Sequence, residues 1–234
     1  MTLIIQPQLP VIIGLTIFIV ISLKLINKKL EEFDPLQKPT TLVLLCIMLV
    51  EFFDGFVCDI VTEKRGKVLA PYLCSVGIYI LLSNYMGLLG LETPTKNWSV
   101  TLVLAAITFI WIQKTDIECS GIKSYIHAFF EPVFLFLVPN FFGTIAPLLS
   151  MSLRLFGNLL SGTIIMDLVY QLGNIVSNFF WGIFGLKDIF NFIGPAIAAP
   201  LHVYFDLFSG FMQAYIFIML TAVFIGNKIP DDQR

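Results

Sequence analysis

Apolar runs of membrane-crossing length follow one another along the chain, each closed by a short polar break. The first, Pro10 to Ile26, opens on a proline, which a first helical turn tolerates, and ends at Asn27-Lys28-Lys29. Residues 28–39 carry charge together with Pro35 and Pro39 and are expected to connect. Thr41 to Ile60 begins apolar, but Glu51, Asp54 and Cys58 recur at helical spacing, Asp59 adds a further charge, and Phe52, Phe53, Phe56 and Val57 supply an apolar face. An amphipathic helix lying in the membrane plane fits that pattern better than a crossing. After Lys64-Arg65-Gly66-Lys67, Pro71 to Leu91 is a second crossing. Trp98 to Ile112 is a third, closed at Gln113-Lys114-Thr115-Asp116.

Tyr125 to Leu172 exceeds one upright crossing, since a helix rises about 1.5 Å per residue through a core of about 30 Å. A division at Pro139 is expected, with a lead-in segment from Ala128 to Val138 and a strongly tilted helix from Asn140 to Leu172 that Pro147 can kink. A connector from Gly173 to Lys187 then leads into Asp188 to Asn227, a second overlong segment interrupted by Gly194, Pro195 and Pro200. The expected fold is an all-α integral membrane protein with five transmembrane helices plus one in-plane amphipathic helix, the last two helices long and tilted. It forms a single membrane domain: a first span within 1–27, a cytoplasmic connector 28–70 holding the interfacial helix 41–60, a two-helix hairpin 71–114, and a long tilted helical hairpin 125–227.

Composition agrees. Hydrophobic residues make up 57% and charged residues 13% of the chain, and mean hydropathy is +0.88, far from the soluble range, where charge runs near ~25%. A net charge of −2 offers no basic surface for nucleic acid. The cysteines Cys46, Cys58, Cys74 and Cys119 lack Cys-x-x-Cys spacing and histidines number only two, so neither a zinc site nor a disulfide framework is expected. The N-terminus lacks the basic stretch of a cleavable signal peptide, so the first apolar segment is expected to stay as a span. With five crossings and the N-terminus outside, the inner loops carry eleven basic residues and the outer loops only Lys96 and Lys187, which sets the orientation.

One basic residue belongs to no loop. Arg154 sits inside the run Pro147 to Gly162, where a lone arginine costs about 2.5–3.5 kcal/mol on insertion scales, so it calls for a function. Ser150, Arg154, Asn158 and Ser161 fall at i, i+4, i+8 and i+11 and share one helix face, and Gly143, Gly157 and Gly162 permit close approach of another helix or a separate subunit. On the last long segment His202, Asp206, Ser209 and Gln213 also share a face. Arg154 and Asp206 or Gln213 are thereby able to meet across a shared cavity; the plainer reading is helix-to-helix hydrogen bonding by His202 and Ser209. A third set, Thr163, Asp167 and Tyr170, points roughly opposite to Arg154.

The string Ser152-Leu153-Arg154-Leu155-Phe156-Gly157-Asn158, followed by Ser161-Gly162, resembles the signature of the a subunit of F-type ATP synthases. Asn84-Tyr-Met-Gly-Leu-Leu-Gly90, Pro94-Thr95 and Asn97-Trp-Ser-Val-Thr101 resemble the corresponding hairpin of that family. The resemblance implies a stator subunit, without a catalytic site or cofactor of its own, that exchanges H⁺ or Na⁺ with the carboxylates of a rotating c-ring through two half-channels. It implies as partners the c-ring, peripheral-stalk b subunits, other Fo and F1 subunits and membrane lipid, and as location a bacterial plasma membrane. Arg154 is the matching family arginine, and Gln213 looks like the glutamine the family places beside it, with Asn158 able to help. Departures are Thr163 and Asn140, at positions that are often acidic in the family, and Asp206, where members carry a histidine or an acid. Thr163, Asp167 and Asp206 are expected to border the outer half-channel, with His202 and Ser209 on the same helix face as Asp206, and Asn140 and Thr144 the inner one.

Two rivals are weighed against this. A self-contained channel or secondary transporter would use Arg154 and Asp206 as an internal pair, although no inverted repeat is visible. An intramembrane hydrolase lacks a nucleophile in an activated turn near His202. No phosphate-binding loop occurs, so ATP chemistry must lie in another subunit.

Overall fold

The computed structural model describes residues 8–31, 40–130, 134–183 and 193–230, and all regular structure among them is helical. The helices are α1 (Gln8–Glu31), α2 (Thr41–Ile60), α3 (Glu63–Tyr85), α4 (Trp98–Ser120), α5 (Ile122–Ala128), α6 (Leu137–Ile183), α7 (Ile193–His202) and α8 (Ser209–Gly226). A π-helical turn, Val203–Phe208, joins α7 to α8. Six helical stretches are long and apolar enough to cross a membrane, which makes this an all-α, multi-pass integral membrane protein.

Several boundaries differ from the sequence pattern, each for a local reason. The basic patch Lys64 to Lys67 does not form a connector; it lies in the first turns of α3, where Lys67 pairs with Glu63 one turn earlier at 2.9 Å. Only Val61 and Thr62 separate α2 from α3. The third apolar helix does not stop at Ile112: α4 continues to Ser120 and ends where Gly121 takes φ 77°. The division expected at Pro139 is absent. Pro139 falls in the first turn of α6, where its missing N–H would have had no partner anyway, and the helix then runs unbroken past Pro147. The connector expected from Gly173 is helical to Ile183, because Gly173 packs backbone to backbone against Gly194 of α7. The expected start at Asp188 and the breaks at Pro35 and Pro39 lie outside the described residues.

α6 holds 47 residues, so it extends about 70 Å, more than twice the hydrocarbon thickness. Its buried positions Met151, Leu155, Gly162, Met166, Gly173 and Ser177 recur at alternating steps of four and seven, with Ser152 buried beside the first. That 11-residue repeat keeps one stripe facing its partners with a slight right-handed drift. The first half of the stripe enters the core formed with α3, α4 and α8, where Leu73, Ile80, Ile112, Phe217 and Ala222 are all at most 2% exposed. Polar side chains join the same helices: Tyr72 and Thr108 share a 2.8 Å hydrogen bond and Thr101 and Ser152 a 3.5 Å one. The second half of the stripe meets the π turn and α7. Phe205 lies over Gly162, and Ser177 Oγ accepts from the Ile193 backbone N–H at 3.2 Å.

Candidate ion path

At 100° per residue, Arg154 stands at one margin of the buried stripe of α6, while Thr163 and Tyr170 stand at the other. Arg154 is exposed on the molecule's own surface, and no side chain or carbonyl among the described residues accepts a hydrogen bond or forms an ion pair with it. Ser150 and Ser161 on the same face are exposed too, and Leu149, Leu153 and Leu160, further round the helix, are 43%, 52% and 43% exposed, so the guanidinium emerges from an open face bordered by apolar side chains. Gly157, three residues on, has open space where a side chain would be. Arg154 lies about 25 Å from the start of α6 and about 44 Å from its end, remote from either terminus.

The internal Arg154–Asp206 pair that a self-contained channel would use is not formed. Asp206 Oδ2 instead lies 2.6 Å from His202 Nδ1, one turn earlier, and His202 Nε2 lies 3.1 Å from the Tyr170 hydroxyl of α6. Tyr170, His202 and Asp206 thus form a continuous hydrogen-bonded row across the α6–α7 contact. Asp167, a turn before Tyr170, is exposed, and the Thr163 hydroxyl donates to the Leu159 carbonyl at 2.9 Å on its own helix. This polar region runs from about 14 Å (Thr163) to about 24 Å (Tyr170) beyond Arg154 along α6, on the opposite margin of the stripe.

The π turn divides the face shared by His202, Asp206, Ser209 and Gln213. An additional residue in one turn rotates everything after it by about 100°, so Ser209 and Gln213 leave the direction of His202. Ser209 Oγ then donates to Asn158 Oδ1 at 2.9 Å, tying α8 to the helix turn next to Arg154. Gln213 is 6% exposed, and its amide makes no hydrogen bond to Arg154 or to any other described residue. Carbonyls loosened around the π turn are taken up by α3: Asn84 Nδ2 donates to Gly210 O at 3.1 Å and Tyr85 donates to Leu207 O at 3.5 Å. Thr95 completes the junction by donating to Asn84 Oδ1 at 2.9 Å.

On the N-terminal side of Arg154 the same face of α6 lines a cavity of about 450 Å³ between α4, α5 and the end of α8. Asn140, Gly143, Thr144 and Pro147 form its α6 wall, ending about 10 Å short of Arg154 along the helix. Asn140 donates to the Ala128 and Phe129 carbonyls at 3.2 Å, and Thr144 donates to the Asn140 carbonyl at 2.9 Å. The opposite wall is polar too. Tyr125 donates to Gln113 Oε1 at 2.8 Å, and burial, with Asp116 adding, pushes the phenol's pKa above its usual value. At the mouth Lys228 Nζ lies 2.6 Å from Asp116 Oδ2. The sequence pattern marked Gln113 and Asp116 only as the polar close of the third run and gave Tyr125 and Lys228 no site role; the carboxylates Asp116 and Glu118 just beyond the apolar run of α4 were the available signal. Among the described residues no group of three or more His, Cys, Asp or Glu side chains is placed to hold a metal ion.

Long apolar helices, an arginine on an open face and polar regions on opposite margins of one helix define a multi-pass membrane protein with charged and polar groups set into its apolar segments. Residues 9–226 match the family model described as ATP synthase A chain. ATP synthase subunit a of Mycoplasma pneumoniae is 35% identical over 234 aligned residues, covering 90% of this chain and 73% of that protein. The sodium ion specific subunit a of Propionigenium modestum is 30% identical over 202, covering 77% and 63%, and subunit a of Mycoplasmoides gallisepticum 30% over 246, covering 95% and 80%. The chain belongs to the ATP synthase A chain family, the a subunits of F-type ATP synthases.

Proposed function

We propose that this chain is the ion-translocating stator subunit of a rotary F-type ATP synthase and that Arg154 faces the carboxylates of a rotating c-ring. The observation that carries this reading is the guanidinium on the open face of α6, without a partner among the described residues. Left against lipid, that charge would be several kcal/mol out of balance; a rotor carboxylate supplies the missing counter-charge. A rotor site loaded with an ion is neutral and passes through lipid. Beside Arg154 the fixed positive charge favours the ionised carboxylate, so the ion is released. Because arginine keeps its proton, the same charge also opposes a cation slipping straight from one side to the other.

Two paths serve this exchange. The cavity of Asn140 and Thr144 is the inner one, and the region of Thr163, Asp167, Asp206 and His202 borders the outer one; their location at opposite ends and margins of α6 supports the assignment. The Ser209–Asn158 bond holds the α8 backbone beside Arg154, and Gln213, one turn on, supplies a neutral amide near the guanidinium. Five helical stretches cross the membrane while α2, with Glu51, Asp54 and Asp59, lies in its plane, since burying three carboxylates in hydrocarbon would be costly. α6 is strongly tilted, as its length supports. The N-terminus is outside and the C-terminus cytoplasmic, in a bacterial plasma membrane, with the c-ring, b subunits and other Fo and F1 subunits as partners. The transported cation is H⁺ or Na⁺; the sodium ion specific relative makes the second a direct comparison.

The test is Arg154→Lys. A lysine can shed its proton when desolvated, so ion-coupled ATP synthesis is expected to vanish in an assembled complex. Normal coupled synthesis would overturn the fixed-charge reading.

A further inference from the structure

The ion pair in the lining of the inner cavity has a property that the remaining lining lacks: it sets an ammonium group on the carboxylate that an entering cation would seek. Asp116, Tyr125 and Lys228 are the titratable groups in the lining. The Asp116 side chain is 14% exposed and that of Lys228 38%, so the carboxylate is sheltered while the ammonium reaches it from the wet side. Asp116 Oδ1 is occupied by the Ser120 hydroxyl at 3.4 Å, leaving Oδ2 to Lys228. The Lys228 backbone is held in place: its N–H donates to the Ile225 carbonyl at 3.1 Å, and the next residue, Ile229, is 3% exposed in the core. Only the side chain is able to swing.

We propose that Lys228 is a tethered cation that latches the inner cavity by holding Asp116, and that the transported cation loads by displacing it. The inference rests on reading this cavity as the inner path. With the latch closed the mouth is neutral. When a proton or Na⁺ takes Asp116, the ammonium is released to water: the carboxylate site stays neutral, and the subunit gains the one positive charge of the loaded cation. A positive group at a pore mouth opposes cation entry and a carboxylate favours it, so the two residues act on loading with opposite sign. A pair that merely tethered α4 to the end of α8 would lose the same thing whichever partner was removed.

The experiment uses inside-out vesicles containing the assembled complex, in which the inner face of this subunit meets the external medium. ATP-driven ion uptake is followed as external pH and, separately, external Na⁺ are varied. Lys228→Gln is expected to lower the half-saturating cation concentration about two- to fivefold, the range of a partly exposed ion pair, and Asp116→Asn to raise it by a similar factor. The double variant falls between Asp116→Asn and the parent, and Lys228→Arg, which keeps the charge, restores the parent value. Thr144→Leu, which fills the cavity's deep end, reports on the path itself. Slow uptake in Thr144→Leu, combined with equal shifts or no shift in the two single variants, overturns the latch and leaves the path. Should Asp116→Asn fail to assemble, identical loading by Lys228→Gln and Lys228→Arg overturns the latch. Parental uptake in Thr144→Leu removes the path and the latch together.

Discussion

Two glycines on one helix are expected to respond with opposite sign to the same substitution. A Cβ on Gly173 would collide with Gly194 Cα and N, which are backbone atoms of α7 and have no rotamer to yield. Carbon–carbon contact needs about 3.5–4.0 Å, so α6 and α7 would have to part by roughly an ångström or more. Such overpacking costs about 1–3 kcal/mol, against which alanine returns up to about 1 kcal/mol of helix propensity. At Gly162 a Cβ would meet Phe205 Cδ1 at 3.6 Å, an ordinary contact, so only the propensity gain remains. Gly173→Ala should therefore lower, and Gly162→Ala keep or raise, the thermal retention of this subunit in the purified complex. The first should also weaken ion-driven synthesis, because the displaced α7 carries His202 away from Tyr170, now 3.1 Å apart. A Gly173→Ala complex as stable as the Gly162→Ala complex would refute the backbone-contact reasoning.

Asn84→Ala removes the donor to Gly210 O and the acceptor for Thr95, and each buried group left without a partner costs about 1–3 kcal/mol; a lower thermal midpoint with an unstable start of α8 is the expected outcome. A double-mutant cycle on Asn158 and Ser209, read by stability, should give a coupling of about 0.5–1.5 kcal/mol, and additive effects would deny their hydrogen bond. Asp206→Leu is expected to abolish ion-driven synthesis in an assembled complex, whereas unchanged synthesis would take that acid, and with it the Tyr170–His202 row, out of the ion path.

Much of the helical architecture was legible because hydrocarbon imposes a simple grammar: apolar runs of crossing length and polar breaks. Arg154 stood out for the same reason, as a charge inside such a run, and the structure places it exposed on α6. Helix ends were less so. Proline and glycine by local preference break helices, yet Pro139 falls harmlessly in a first turn and Gly173 is held helical by Gly194. The shared face of His202, Asp206, Ser209 and Gln213 was drawn with uniform helical rotation, and the π turn breaks that assumption. It begins three residues after Pro200, whose missing N–H already interrupts the hydrogen-bond ladder. The cavity beside Asn140 and Thr144 stayed hidden because it joins α4, α5, α6 and the end of α8. Asp116 and Lys228 stand far apart in the chain, and no periodicity links them.

The most direct measurement concerns what lies against Arg154. Ser150 and Ser161 flank it on the open face, while Leu155, the neighbouring residue, is 1% exposed in the core. In a complex lacking the four native cysteines, Ser150→Cys and Ser161→Cys should each form a disulfide with a cysteine placed near the ion-binding carboxylate of the rotor helix, and Leu155→Cys should form none. Crosslinking at position 155 but not at 150 or 161 would mean that the guanidinium does not face the rotor.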